Sequence, residues 1–138
     1  STGASYWKEI LNYKELFNSG RLIPMHCVSS YPCIDENINL PRINKIKELS
    51  QIYGYSGHLN NIKDAIAAIC FGCQYIEKHF TIDKKLPGRD NLNAILPHEL
   101  RELYEFKLSF QKMNIDKGKD LQIEEQDIYN NYRGRWGG

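Results

Sequence analysis

The chain has 138 residues, 41% of them hydrophobic and 25% charged, with a net charge of +1. That length fits one domain burying about two-thirds of its unfolded surface, and so small a net charge excludes a strong field for nucleic acid or an acidic membrane. The longest apolar run, around Ala65 to Phe71, is far short of the roughly 20 residues of a membrane span.

Ser5 to Asn18 carries a helical stripe of Tyr6, Trp7, Ile10, Leu11 and Phe17, broken at Lys14 and ended by Gly20. Leu22 to Val28 reads as a strand, although Pro24 would remove a ladder hydrogen bond from a central one. A loop follows from Ser29 to Asn39. Pro41 opens a second helix with Ile43, Ile46, Leu49 and Tyr53 on its buried side. Tyr53 to Ser56 is a very short strand. Asn60 or Asn61 caps a third helix, with Ile62, Ala65, Ile66 and Ile69 facing inward and Gly72 as its C-cap. Gln74 to Phe80 is a third strand. After the turn at Pro87-Gly88, Pro97 opens a last helix with Leu100, Leu103, Phe106, Phe110 and Met113.

Helices alternating with strands at this spacing predict βαβ units and a parallel sheet. Three strands neither close a barrel, which takes eight, nor protect two open edges. A fragment, a homo-oligomer or a partner supplying the missing strands is therefore expected. The chain shows no signal peptide and starts at Ser1-Thr2-Gly3 without an initiator methionine, so a cytoplasmic piece of a longer protein is expected. The tail from Asn114 to Gly138, with Arg133, Arg135 and Trp136, reads as a linker or extension.

Of the four cysteines, Cys70 and Cys73 form a C-x-x-C at the end of the third helix, the wrong place for a redox pair. A small zinc-binding structural module on Cys27, Cys33, Cys70 and Cys73 is an alternative, although only one half has tight ligand spacing.

Polar residues gather where each strand ends: His26, Ser29 and Tyr31; Ser56, Gly57 and His58; Glu77, Lys78 and His79. In α/β sheets and barrels that rim binds ligands. His58 and His79 would sit on adjacent strands, able to hold a divalent metal between them. Glu77 and His79 are two apart and share a face, while Lys78 points away. A glutamate there can orient a substrate hydroxyl or carry protons. On spacing alone a satisfied polar histidine, or a structural Glu–His hydrogen bond, stays open as the alternative. Ser1, Ser29 and Ser56 could hold a phosphate or serve as turn serines, Tyr31 could be a loop anchor, and Asp90 an exposed turn residue.

Three ordered motifs give the sequence a family likeness. His26-Cys27-Val28-Ser29-Ser30-Tyr31-Pro32, Gly54-Tyr55-Ser56-Gly57-His58 and Ile76-Glu77-Lys78-His79-Phe80-Thr81 are similar to successive strand motifs of the sialic acid synthases. That family includes N-acetylneuraminate, legionaminate and pseudaminate synthases and related spore-coat polysaccharide proteins. Leu86-Pro87-Gly88-Arg89-Asp90 resembles the loop after the last barrel strand, and Ser1-Thr2-Gly3 the end of the fifth.

The resemblance implies the last four or so units of a (β/α)8 TIM barrel over residues 1–113, with 114–138 leading toward a missing C-terminal domain. It implies a transferase that condenses phosphoenolpyruvate with an N-acetylated amino sugar such as N-acetylmannosamine, releasing phosphate, with Mn2+ or Mg2+ as cofactor. It implies His58 and His79 as metal ligands, Glu77 as the catalytic carboxylate, Ser1, Ser29 and Ser56 on phosphoenolpyruvate, and Tyr31 and Asp90 on the sugar. Many members have Asp where this chain has Gly57, and Thr where it has Leu59. The first four strands, with their phosphoenolpyruvate-handling glutamate and lysines, are absent. So is the antifreeze-like domain whose arginine reaches the sugar, a role that Arg133 and Arg135 cannot be given. An inactive truncated or degenerate synthase is the alternative, and the isolated chain is expected to be inactive.

Overall fold

A parallel sheet of three short strands runs through the middle of the chain, in the order β1 (Met25–Cys27), β2 (Gly54–Gly57), β3 (Tyr75–Lys78). The structure is a computed structural model and describes residues 1–134; Arg135 and Trp136 lie outside the described residues. Parallel neighbours need a crossover. Here α3 (Arg42–Lys47) links β1 to β2, and α4 (Lys63–Cys70) links β2 to β3. Cys27 pairs with Ser56, and Ser56 with Glu77, so these three side chains share one face.

Both edges of the sheet are extended by single residues. Thr2 donates its amide and its hydroxyl to the Met25 carbonyl, each at 2.9 Å, which lays residues 1–3 beside β1. Beyond β3, the Ile95 amide reaches the His79 carbonyl at 2.7 Å, and Phe80 and Ile95 form a parallel bridge.

The expected elements appear with shifted bounds. The first helix is two, α1 (Trp7–Leu11) and α2 (Lys14–Asn18), interrupted near the Lys14 break. The first strand begins only after Pro24, whose carbonyl accepts the Gly54 amide at 3.0 Å. Placed there, the proline removes no ladder donor. Gly72 ends α4 at φ +86°, a conformation other residues rarely hold. The long α5 spans Pro97–Met113, as its start signal implies. Of its apolar stripe only Leu103 is buried, and Leu100 and Met113 are exposed. After it, residues 114–134 are almost wholly exposed and hold one further short helix, α6 (Gln126–Asn131).

The core lies on the helix side of the sheet. Ile43 and Ile46 of α3 are fully buried against Ile38, Tyr53 and Tyr55. Ala65 and Ile69 of α4 pack on Ile95 and Leu103. The opposite face of β3 is open, with Tyr75 51% exposed. A separate groove of about 970 Å³ runs beside β3 along α5, lined by Ile76, Lys78, Ile95 and Leu103.

His26 departs from its expected place at the rim. It sits mid-strand on the helix-facing side, fully buried, with Nε2 donating to the Ile38 carbonyl at 2.8 Å. A carbonyl only accepts, so Nδ1 is the bare nitrogen, and it is buried with no hydrogen-bond partner. Burial pushes the His26 pKa down from 6.5; the Ile38 bond opposes this, and the Arg42 charge adds to it. The unfolded chain therefore takes a proton below pH 6.5 that the folded chain refuses, and stability falls with falling pH. Going from about pH 7.5 to about pH 5.5 should cost about 1 kcal/mol in urea unfolding. A His26→Gln variant should lose that slope, and an unchanged slope would show that other groups set it.

Candidate functional site

The pleat builds the site. Ser56 and Glu77 are directly opposed on β2 and β3, and the Ser56 hydroxyl donates to Glu77 Oε1 at 2.7 Å. Two residues further along each strand, the same face carries His58 and His79. Their ring centroids are 5.4 Å apart at 43°. Tyr31, reached through a cis Tyr31–Pro32 peptide, packs its ring 4.3 Å from His58 and 6.0 Å from His79.

His58 is fixed by β1. Its Nδ1 lies 3.0 Å from the Val28 carbonyl and 3.8 Å from the Cys27 thiol. Because the carbonyl can only accept, Nδ1 carries the proton and Nε2 presents its lone pair, the tautomer of a histidine ligand. The ring separation is within the span of two imidazoles sharing one ion through bonds of about 2 Å. Among the described residues no group of three or more His, Cys, Asp or Glu could hold a metal. The pair offers two donors, and water or substrate would complete the shell.

The other expected residues fall around this cluster. Ser29 is exposed at the end of β1, its hydroxyl 3.7 Å from the Cys27 thiol. Ser1 is exposed and accepts the Gly3 amide; a Cβ on Gly3 would strike Ser29, so the two segments run in close contact. Ser56 is 3% exposed and bonded to Glu77, which makes it a support for that carboxylate before it is a phosphate donor. Asp90 precedes a short helical turn over Asn91–Asn93, its carbonyl accepting the Asn93 amide at 3.0 Å. Burial first, then the Cys27, Asp90 and Glu77 groups, raise the Tyr31 hydroxyl pKa against the pull of Arg89.

The four-thiol zinc module does not form. Cys70 is exposed at the end of α4, while Cys27, Cys33 and Cys73 are buried, and no such cluster exists among the described residues. Burial pushes the Cys73 thiol up to about 12, away from redox reactivity.

Behind the rim lies a group that the sequence reading missed. Lys78 points to the helix side, as its parity requires, and its Nζ meets Asp64 of α4 at 3.0 and 3.1 Å and the Leu59 carbonyl at 2.7 Å. Both side chains are almost inaccessible, 4% and 0% exposed. Asp64 Oδ2 also accepts the Tyr55 hydroxyl at 3.1 Å. Gly57 lies over this carboxylate, and a Cβ there would run into it. An aspartate in a helix's first turn usually reads as a dipole partner, so only the lysine inside the β3 motif could have signalled the pair.

Residues 1–119 match the NeuB family. The chain belongs to the NeuB family. An uncharacterised protein of Methanocaldococcus jannaschii is 39% identical over 93% of this chain and 39% of its own length. An N,N'-diacetyllegionaminic acid synthase of Campylobacter jejuni is 34% identical over 77% of this chain and 32% of its own. The crystal structure of an N-acetylneuraminic acid (sialic acid) synthetase from Leptospira borgpetersenii superposes with a TM-score of 0.80 at 31% identity, over 96% of this chain and 48% of that one. The chain thus spans less than half the length of each of these NeuB-family relatives. No helix among the described residues is long and apolar enough to cross a membrane.

Proposed function

We propose that this chain is the metal-binding half of a cytoplasmic sialic-acid-type synthase, which condenses phosphoenolpyruvate with an N-acetylated amino sugar when the rest of a TIM barrel is present. The observation that carries this reading is the His58–His79 pair, with the His58 tautomer set by Val28 and the Ser56–Glu77 bond one step below. The NeuB-family match and the synthase names of its relatives support it.

His58 and His79 would hold Mn2+ or Mg2+, whose chemistry when bound is to polarise the sugar's aldehyde oxygen. Ser29, with Ser1 on the neighbouring segment, offers hydroxyl donors to the phosphoenolpyruvate phosphate. Glu77, kept in place by Ser56, faces the reacting atoms and accepts a proton from a substrate hydroxyl. Tyr31, packed against both imidazoles, and Asp90 would hold the sugar. The bond made joins the phosphoenolpyruvate methylene carbon to the aldehyde carbon; water enters at the enol carbon and inorganic phosphate leaves. Most of the catalysis is then orientation and electrostatics.

The open face of β3 and the groove beside it favour a second statement: the chain alone is inactive, and strands from a complementing N-terminal half or a second copy must cover that face. The test pairs this chain with the first four strands of a relative. Phosphate and 2-keto acid should appear in equal amounts from phosphoenolpyruvate and N-acetylmannosamine, dependent on Mn2+ and absent with either half alone. A folded, complete assembly that forms no keto acid from any N-acetylated hexosamine offered would overturn the proposal.

A further inference from the structure

We infer that the buried Asp64–Lys78 pair is a positioning device that sets His58 and His79 relative to each other. This rests on reading the two histidines as one metal seat.

The pair touches both strands of that seat, on the side away from substrate. Lys78 lies between Glu77 and His79 on β3. Leu59 directly follows His58 at the exit of β2. Lys78 Nζ binds the Leu59 carbonyl at 2.7 Å, and Asp64 Oδ2 accepts the Leu59 amide at 3.4 Å. Both polar groups of the residue after His58 are thus held by one ion pair, whose cation is the residue before His79. Asp64 is itself held by α4, through the Ala65 amide at 2.8 Å, and by Tyr55. The His58 carbonyl is tied separately, to the Cys33 amide at 3.2 Å. The strand exits are therefore fixed from the helix side, and the imidazoles meet on the other.

Stability alone is a poor account of such a pair. A buried ion pair replaced by apolar groups of similar size is often neutral or stabilising. Its distinctive product here is geometry, since an apolar pair cannot hold the Leu59 amide and carbonyl. The Gly57 contact gives the means to test this. The Asp64 carboxylate occupies the space into which a side chain at residue 57 would project. An aspartate at 57, with Asp64 cut back to alanine, would supply the same charge to Lys78 from the strand, and the Tyr55 ring, 2.5 Å from the new Cβ, would have to move aside.

The experiment compares the parent chain with Asp64→Ala/Lys78→Met and with Gly57→Asp/Asp64→Ala. Three quantities are read: Mn2+ affinity by electron paramagnetic resonance, the His58 imidazole nitrogen signals by NMR, and the urea midpoint. The apolar double variant should lose less stability than Asp64→Ala alone but bind Mn2+ roughly 10–100-fold more weakly than the parent, the scale of outer-shell losses. Its His58 should leave the single Nδ1–H tautomer. The carboxylate swap should restore both to within a few-fold of the parent. If the apolar variant does not fold, Asp64→Asn/Lys78→Met is read in its place. Parent-like Mn2+ affinity with unmoved His58 signals in a folded variant overturns the inference. A parent that binds no Mn2+ sinks the metal-seat reading instead, and the His58 signals then decide the positioning role by themselves.

Discussion

Asp64→Ala alone is expected to destabilise the chain by about 3–5 kcal/mol, the usual penalty for leaving one member of a buried ion pair without its partner. Lys78 would keep only the Leu59 carbonyl, with its side chain 4% exposed. Native domains have about 5–15 kcal/mol in total, so the variant should be largely unfolded in mild urea. The loss should depend on pH in a set direction. Burial already lowers the Lys78 pKa below 10.5, and the Asp64 charge is what pulls it back up. Without Asp64 the folded state holds that proton less well than the unfolded state does. The variant's stability should therefore rise as pH rises toward 10.5, and its deficit against the parent should shrink. Urea unfolding of both proteins at about pH 7 and about pH 9.5 reads this directly. The exposed Lys45–Glu48 pair, 63% exposed on both sides, is the control: Glu48→Ala should cost next to nothing at either pH. Equal losses at the two sites would mean that the buried pair is not a pair in solution.

Much of the fold was legible because helix signals are local. Pro41, Pro97 and Gly72 mark helix ends by backbone chemistry, and α5 begins at the proline that predicts it. Strand bounds were less legible, since a strand's length is set by its neighbours. Leu22 and Ile23 look like strand residues, but the Leu22 amide bonds the Leu16 carbonyl instead of a strand, and pairing begins where Gly54 meets Pro24. The openness of α5 was illegible for a related reason. Its stripe of Leu100, Phe106 and Phe110 is fit for burial, yet what would cover all of it is not among the described residues.

The rim followed from parity alone for Glu77, His79, Ser56 and His58, because a two-residue period places them on one face of paired strands. The same parity puts His26 and Lys78 on the other side, so grouping His26 with the rim gave nearness in sequence too much weight. Spacing could not show that Ser56 is already engaged with Glu77, or that a carboxylate from α4 reaches under Gly57. Both contacts join residues far apart in sequence. Gly57 takes its meaning from Asp64: the carboxylate facing Lys78 comes from the helix and fills the space that a side chain at 57 would need.

Replacing either histidine should have the largest effect on function. In the completed barrel, His58→Ala or His79→Ala should lower kcat by at least about 100-fold, the scale for removing one electrostatic stabiliser. The Mn2+ dissociation constant of the chain should rise by at least about 100-fold, beyond the range seen for outer-shell partners. The reason is the size of the donor set. No third His, Cys, Asp or Glu joins the pair among the described residues, so one substitution removes half of what this chain offers. The folding cost should be unequal. His58 is 7% exposed and bonded to Val28, so its loss also leaves the Val28 carbonyl without that donor, whereas His79 is less buried. His79→Ala is accordingly the cleaner probe, and its urea midpoint should stay near the parent's. Glu77→Gln separates binding from chemistry: the amide can still accept from Ser56, so Mn2+ affinity should hold while turnover falls by about 100-fold or more. If His79→Ala keeps both Mn2+ binding and turnover, the cation sits elsewhere, and the imidazole pair reverts to a structural contact under Tyr31.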